Sequence, residues 1–273
     1  MSLHVETIGH GAPLVMLHGW GMHGGIWHET AAALAGSFTV HVVDLPGHGL
    51  SRVSETANGA AADSPFPFAP PFFSLDAVVS ELAEQFGEPV QVLGWSLGGI
   101  IAQHWALRAP QQVQRLVLVA STPCFAEQAD WLCGMPRATL EQFAAELEKN
   151  HAATLRRFLA LQVRGSEDER ELLALLRERL FSRGEPDPHA LRGGLEVLRN
   201  ADLRGELAQI AQPLLAIAGE RDKLTPPQAS HHIAQAVQNG RVVEIAGAAH
   251  APFLSHANEF VAAVSDFLKV KGT

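Results

Sequence analysis

The chain has only two cysteines, Cys124 and Cys133. That is too few for a disulfide framework, and neither sits at metal-ligand spacing, so two free thiols without a catalytic role are expected. Long apolar runs are missing as well. The longest, such as 113–120, are strand-sized and fall short of the roughly 18 residues that span a bilayer, so no membrane association is expected. The opening MSLHVETIGHG has no basic start followed by an apolar stretch, which makes the cytoplasm the expected location. Positive charge is in deficit: 20 Lys and Arg stand against 29 Asp and Glu, a net charge of −9, which argues against a nucleic-acid partner. The 14 histidines are scattered, and the close pair His231-His232 is sequential, so on a helix the two rings diverge and no metal is expected. There is no G-x-G-x-x-G at a strand end and no Walker motif, hence no expected cofactor.

What is present is apolar patterning. Hydrophobic residues make up 47% of the 273 positions, enough for a large core and an inserted subdomain. Short runs at 14–17, 38–43, 90–93, 116–120, 214–218 and 242–245 are apolar throughout rather than alternating. Strands covered on both faces of a parallel sheet read this way. Helix-length segments lie between them, at about 26–36, 74–86, 98–109, 226–238 and 256–269. The alternation predicts an α/β fold, a doubly wound and mostly parallel sheet flanked by helices. Two stretches interrupt it. Residues 54–73 are rich in Ala and Pro and are expected to form a long loop. Residues 137–204 carry no strand signal and are expected to form three or four amphipathic helices, including 140–147 and 172–180. The expected division is therefore a core of residues 1–122 and 205–273 with a helical cap inserted at 123–204.

The chemistry starts at Gly94-Trp95-Ser96-Leu97-Gly98. A bare G-x-S-x-G occurs by chance roughly 0.1 times in a chain of this composition, so context must carry it. Here it joins a strand to a helix, and Gly94, Gly98 and Gly99 supply the small residues that so tight a turn requires. A serine there stands exposed at a helix N-terminus, where amides favour negative charge. It needs a base, and the base needs an orienting acid, in the chain order Ser, acid, His. Asp222 follows the strand at 214–218 and His250 the strand at 242–245, both past the same strand edge as Ser96. Glu220 is the neighbouring rival to Asp222. Asp44 precedes Ser96 and is expected to bind backbone in its own turn. Asp202 is a less favoured acid, and His256 is expected at the start of the last helix. An oxyanion hole needs two backbone N–H groups; Leu97 and Trp20, in His18-Gly19-Trp20-Gly21, are the expected donors, with the Trp20 side chain walling the acyl pocket. His18 is expected to bond loop backbone.

The runs LHGWGMHGGIW, VVDLPGHGLS and LGWSLGGIIA resemble the α/β-hydrolase superfamily over nearly the whole chain. More specifically, LVLVASTPCF, RRFLALQ, GGLEVLRNADLR and AAHAPFLSH are similar to the carboxylesterases of biotin synthesis that act on pimeloyl-acyl-carrier-protein methyl ester. The resemblance implies a V-shaped cap and substrate contacts at Trp20, Ser96, Leu97, His250 and the segment Phe158-Leu159-Ala160-Leu161-Gln162. It also implies that cap arginines grip an acidic acyl-carrier protein. Arg157 and Arg170 stand at matching positions. Two further family arginines fall on Ala153 and Ala174, where the neighbours Arg156 and Arg177 are the substitutes. Residues 137–204 hold 12 of the 20 basic residues and 12 acidic ones. By itself that reads as a solvated helical surface laced with ion pairs; beside the resemblance it reads as a docking face. The expected activity is a serine carboxylesterase, working as a monomer. The alternatives are a broad short-chain carboxylesterase and a non-catalytic binding protein of the same fold, with haloperoxidase-type chemistry as a side reaction.

Overall fold

The structure is a computed structural model that describes residues 3–51 and 73–269. The Pro-rich segment expected to form a long loop lies outside the described residues, apart from Phe73, which is buried. Seven strands form one sheet: β1 (His4–Gly9), β2 (Ala12–Leu17), β3 (Phe38–Asp44), β4 (Val90–Trp95), β5 (Val113–Val119), β6 (Leu214–Gly219) and β7 (Gly240–Ile245). Their spatial order is β1-β3-β2-β4-β5-β6-β7. Every pair is parallel except β1 with β3. The central strands β4 and β6 are buried at all six positions, as their uninterrupted apolar runs predict. β1 is the strand that the apolar runs do not announce. It lies at the sheet edge with half of its residues exposed, so it mixes polar and apolar residues and carries no continuous hydrophobic signal.

The flanking helices are α1 (His28–Leu34), α2 (Leu75–Gln85), α3 (Leu97–Arg108), α8 (Pro227–Ala236) and α10 (Ala257–Lys269), with a short turn α9 (Pro252–Ser255) before the last. The Ser74 side chain caps α2 by accepting from Ala77 N–H at 3.2 Å, a stabilising arrangement at a helix start. Helix α3 is buried at nearly every position, because it packs between the sheet and its neighbours and shows little face to water.

Between β5 and β6 the chain leaves the sheet and builds four helices: α4 (Arg137–Lys149), α5 (His151–Val163), α6 (Glu169–Leu180) and α7 (Pro188–Asn200). The start of α7 is set by Asp187, which accepts from His189 and Ala190 N–H, followed by Pro188 at the first helical position, where a proline forfeits no hydrogen bond. The two stems of the insertion meet each other. Cys124 and Asp202 form an antiparallel bridge, and Leu203 N–H donates to the Pro123 carbonyl at 2.9 Å. Trp131 donates its indole N–H to the Cys124 carbonyl, and the Arg204 guanidinium covers the Trp131 ring while pairing with Asp202 and Asp130. Both cysteines are free thiols, Cys124 buried and Cys133 partly so. Among the described residues no helix is long and apolar enough to cross a membrane.

Candidate active site

Ser96 sits between β4 and α3 with φ 55° and ψ −116°. A non-glycine residue in that region stores about 1–3 kcal/mol of strain, so its surroundings must hold it there. They do so from both sides. Ser96 N–H donates to the Val119 carbonyl of β5 at 2.9 Å, and the Ser96 carbonyl accepts from Gly99 N–H at 3.0 Å and from Ser121 Oγ at 2.9 Å. A Cβ at Gly94 would strike the Gly98 carbonyl, and one at Gly98 would strike the Leu17 and His18 carbonyls. The glycines of the motif are therefore needed for close backbone approach, and the turn is clamped against β2.

His250 Nε2 lies 3.0 Å from Ser96 Oγ, and His250 Nδ1 lies 2.8 Å from Asp222 Oδ2. All three side chains are buried. They follow β4, β6 and β7 at one edge of the sheet, so the topology collects residues from three distant segments. Asp222 Oδ1 accepts from Leu224 N–H at 2.8 Å and Thr225 N–H at 3.1 Å. The His250 ring lies beside the Trp95 ring, whose indole N–H donates to the His250 carbonyl at 2.8 Å. The arrangement can pass a proton from serine to imidazole while a carboxylate holds the ring in one tautomer.

The loop His18–Gly21 is packed on this turn. A Cβ at Gly19 would lie 3.3 Å from Ser96 Cβ and 3.1 Å from the Trp95 ring. Leu97 opens α3, so its amide has no intrahelical partner. Leu97 directly follows Ser96, and the loop that carries Trp20 packs on the same turn through Gly19. The Trp20 side chain turns to the insertion: its indole N–H donates to the Leu191 carbonyl of α7 at 2.9 Å, and its ring meets Phe158 of α5 edge-on at 5.0 Å. Helix α7 comes so close because of its glycines; a Cβ at Gly194 would sit 2.8 Å from Trp20 Cδ1 and 3.3 Å from Leu97 Cδ2.

Five consecutive helical residues cannot all face one site, since each turns by about 100°. Of 158–162, Phe158, Leu159 and Gln162 are buried, while Ala160 and Leu161 are half-buried. Phe158 touches Trp20. Gln162 reaches the histidine through its backbone, its carbonyl accepting from His250 N–H at 3.1 Å. The arginines of the inserted helices differ among themselves. Arg157 is held by Glu146 at 2.6 Å and lies over the Phe143 ring. Arg156 lies over the Phe181 ring. Arg170 and Arg177 are exposed and make no ion pair among the described residues.

The rival residues have other tasks. Asp44 binds Gly24 and Leu50 N–H and pairs with Arg183. Glu220 accepts from Gly247 N–H at 2.8 Å. Asp202 is occupied by Arg204. His256 bonds Ser255 Oγ just before α10. His18 Nε2 accepts from Leu45 N–H at 2.9 Å, which leaves its Nδ1–H to donate to the Gly19 carbonyl at 2.8 Å. Burial pushes the His18 imidazole well below its usual pKa, with His48 adding repulsion. A neutral, doubly bonded imidazole pins the loop and has no free nitrogen for proton transfer. Sequence reading passed over Ser121 and Thr225. The signal for Ser121 was its place just beyond β5, and that for Thr225 its place three residues past the acid.

Residues 12–257 match the alpha/beta hydrolase fold family. The chain belongs to the α/β-hydrolase family. It is 45% identical over 260 residues to a "Pimeloyl-[acyl-carrier protein] methyl ester esterase" of Nitrosomonas europaea, covering 95% of this chain and 97% of that one. A protein of the same name from Chromobacterium violaceum is 43% identical, covering 99% of this chain and all of its own. Among solved structures, an esterase from Exiguobacterium antarcticum superposes with a TM-score of 0.83 at 21% identity, covering 98% of this chain and 96% of that one. A bromoperoxidase from Bacillus anthracis superposes with a TM-score of 0.84 at 22% identity, covering 98% and 95%. At such identity these two share the fold alone. Within the α/β-hydrolase family the chain is an ester hydrolase, and Ser96, Asp222 and His250 stand in the chain order serine, acid, histidine.

Proposed function

We propose that this hydrolase removes the methyl group from pimeloyl-acyl-carrier-protein methyl ester, with Ser96 as nucleophile, His250 as base and then acid, and Asp222 as the group that orients His250. The observation that carries the chemistry is the continuous contact from Asp222 Oδ2 through His250 to Ser96 Oγ, at 2.8 and 3.0 Å. Support for the substrate comes from the two near-full-length relatives that bear this name. Ser96 Oγ attacks the ester carbonyl carbon as its proton moves to His250 Nε2. The oxyanion accepts from Trp20 and Leu97 N–H. The carbon–methoxy bond breaks, His250 returns the proton, and methanol leaves. Water then repeats the sequence on the acyl-enzyme and frees the pimeloyl carboxylate.

Of the segment 158–162, the buried Phe158, Leu159 and Gln162 line the acyl route in this reading, under the cap of residues 123–204. Its exposed arginines Arg156, Arg170 and Arg177, together with Arg157, meet the acidic carrier in the cytoplasm. An Arg-bearing cap on a body of net negative charge steers such a partner to one face. The enzyme works as a monomer in biotin synthesis. The test is methanol release from the carrier-bound methyl ester by purified protein, with Ser96→Ala as control. No release, or Ser96→Ala matching the wild type, overturns the proposal. One observation favours broader specificity: Arg157 is already engaged by Glu146. If charge reversal at Arg170 and Arg177 leaves carrier-bound and free esters equally fast, the enzyme is a general short-chain carboxylesterase.

A further inference from the structure

One hydroxyl in the relay is not required to complete a serine, a base and an acid. Thr225 Oγ1 lies 2.7 Å from Asp222 Oδ2 and 3.3 Å from His250 Nδ1. With the 2.8 Å separation of those two atoms, the three polar atoms close a triangle, and all three residues are buried. The hydroxyl has one proton to give. Nδ1 presents its own N–H to Asp222, so it cannot accept that proton, and the carboxylate takes it. The Thr225 oxygen then turns a lone pair toward the imidazole N–H.

Thr225 therefore holds both oxygens of the acid. Its backbone N–H, with that of Leu224, occupies Oδ1, and its hydroxyl occupies Oδ2. The carboxylate torsion of an aspartate is broad and nearly two-fold. A carboxylate bonded at Oδ1 alone could swing Oδ2 away from the ring. The turn that leads into Pro226 and α8 is itself closed by the backbone bonds to Oδ1.

The geometry points to Thr225 as a positioning residue: its hydroxyl fixes the plane of Asp222 so that Oδ2 faces His250, and its oxygen is a second acceptor for the imidazolium N–H when the Ser96 proton arrives. This inference rests on the Ser96, His250 and Asp222 reading above. Thr225 touches no substrate and acts through Asp222 and His250. It affects the step in which His250 becomes charged and leaves ester binding alone.

The test uses the full chain with p-nitrophenyl butyrate, a substrate independent of any carrier, and a fluorophosphonate probe for acylation. Thr225→Val keeps the branched shape and removes the hydroxyl; Thr225→Ser keeps the hydroxyl and removes the methyl. The loss of a hydrogen bond to a charged group predicts that Thr225→Val lowers kcat about 10- to 100-fold, with KM within about twofold. Fluorophosphonate labelling slows by the same factor, and Thr225→Ser recovers to within about threefold of wild type. Thr225→Ala reads the same split should the valine variant fold poorly. The inference is overturned if Thr225→Val retains wild-type kcat, or if Thr225→Ser is as impaired as Thr225→Val, which would assign the effect to the methyl group. Ser96→Ala separates the two levels: a variant as fast as wild type overturns the relay itself, whereas an inactive Ser96→Ala beside a fully active Thr225→Val overturns only the role of Thr225.

Discussion

The sheet and the inserted helices meet around Ser96 and share one hydrophobic core, but they contribute different groups there. Strands β4 and β6 are buried along their whole length, and Ser96, Asp222 and His250 lie just past the ends of β4, β6 and β7. Helix α7 buries one side, including Leu191, Gly194, Leu195 and Leu198, and shows Glu196 to solvent. The sheet side supplies all three side chains of the Ser96, His250 and Asp222 contact chain. The insertion supplies backbone carbonyls, Leu191 to the Trp20 indole and Gln162 to His250 N–H, together with apolar surface such as Phe158. The insertion is also tied to the sheet side by charge. Arg183, between α6 and α7, reaches Glu6 at 2.7 Å and the buried Asp44 at 3.2 Å, and Arg179 reaches Glu29 at 2.7 Å. The comparison teaches that the three polar side chains converge from loops past the strand ends, while the insertion meets them through backbone carbonyls, apolar side chains and ion pairs.

The sharpest break of this contrast is on the sheet side. Asp222→Asn leaves packing nearly unchanged but turns the imidazole to the wrong tautomer, and is expected to lower kcat by roughly 10⁴-fold. Ester hydrolysis measures it, and a loss below tenfold would mean that Asp222 is not the orienting acid.

Acid is the second probe. Burial holds His48 down to about 4 against the usual 6.5, and His18 lies well below it too. The unfolded chain takes up these protons near pH 6.5 and the folded chain does not. Stability is therefore complete above that pH and falls as pH drops toward 4. His48 alone accounts for about 3 kcal/mol of that loss. Urea titrations across this window measure the slope, and His48→Gln is expected to flatten it. An unchanged slope would show that His48 titrates normally in the fold.

Gly194→Val attacks the seam. Its side chain would drive α7 away from Trp20 and Leu97 and cost about 1–3 kcal/mol as an overpacking substitution. The expected signature is a larger loss in kcat/KM than in thermal stability, because Leu97 directly follows Ser96 and Trp20 lies in the loop packed on its turn. Wild-type kcat/KM would show that the insertion is not coupled to the site.

The smallest effects compare two ion pairs. Arg183→Ala removes the partner of a buried carboxylate that keeps two backbone donors, and is expected to cost about 2 kcal/mol. Arg157→Ala removes an exposed pair with Glu146 and is expected to cost less than about 1 kcal/mol. Thermal denaturation of both variants checks the order, and its reversal would overturn the view that the half-buried Arg183 pair contributes more than the exposed Arg157 pair.

The fold and the three residues that meet at the sheet edge were legible because their signals are local. Uninterrupted apolar runs marked six strands, and glycines at 94, 98 and 99 marked a turn that only small residues allow. The edge strand β1 was not legible, since a half-exposed strand alternates weakly and carries no continuous run. Of the expected carrier-facing arginines, sequence gave position on a helix but not occupancy. Arg157 is engaged by a glutamate eleven residues away, and nothing in the run RRFLALQ announces that.

From the residues alone, the chain order of Ser96, Asp222 and His250 and their places past strand ends were determined, because hydrophobic period and turn chemistry act over a few residues. Only the tertiary structure decided what surrounds them. Trp20 bonds Leu191 and Trp95 bonds His250 across 171 and 155 residues of chain, and Thr225 completes a triangle with a histidine 25 positions on. Such contacts depend on how the sheet brings separate loops to one edge. A hydroxyl or indole in the sequence carries no mark of the partner it will meet there.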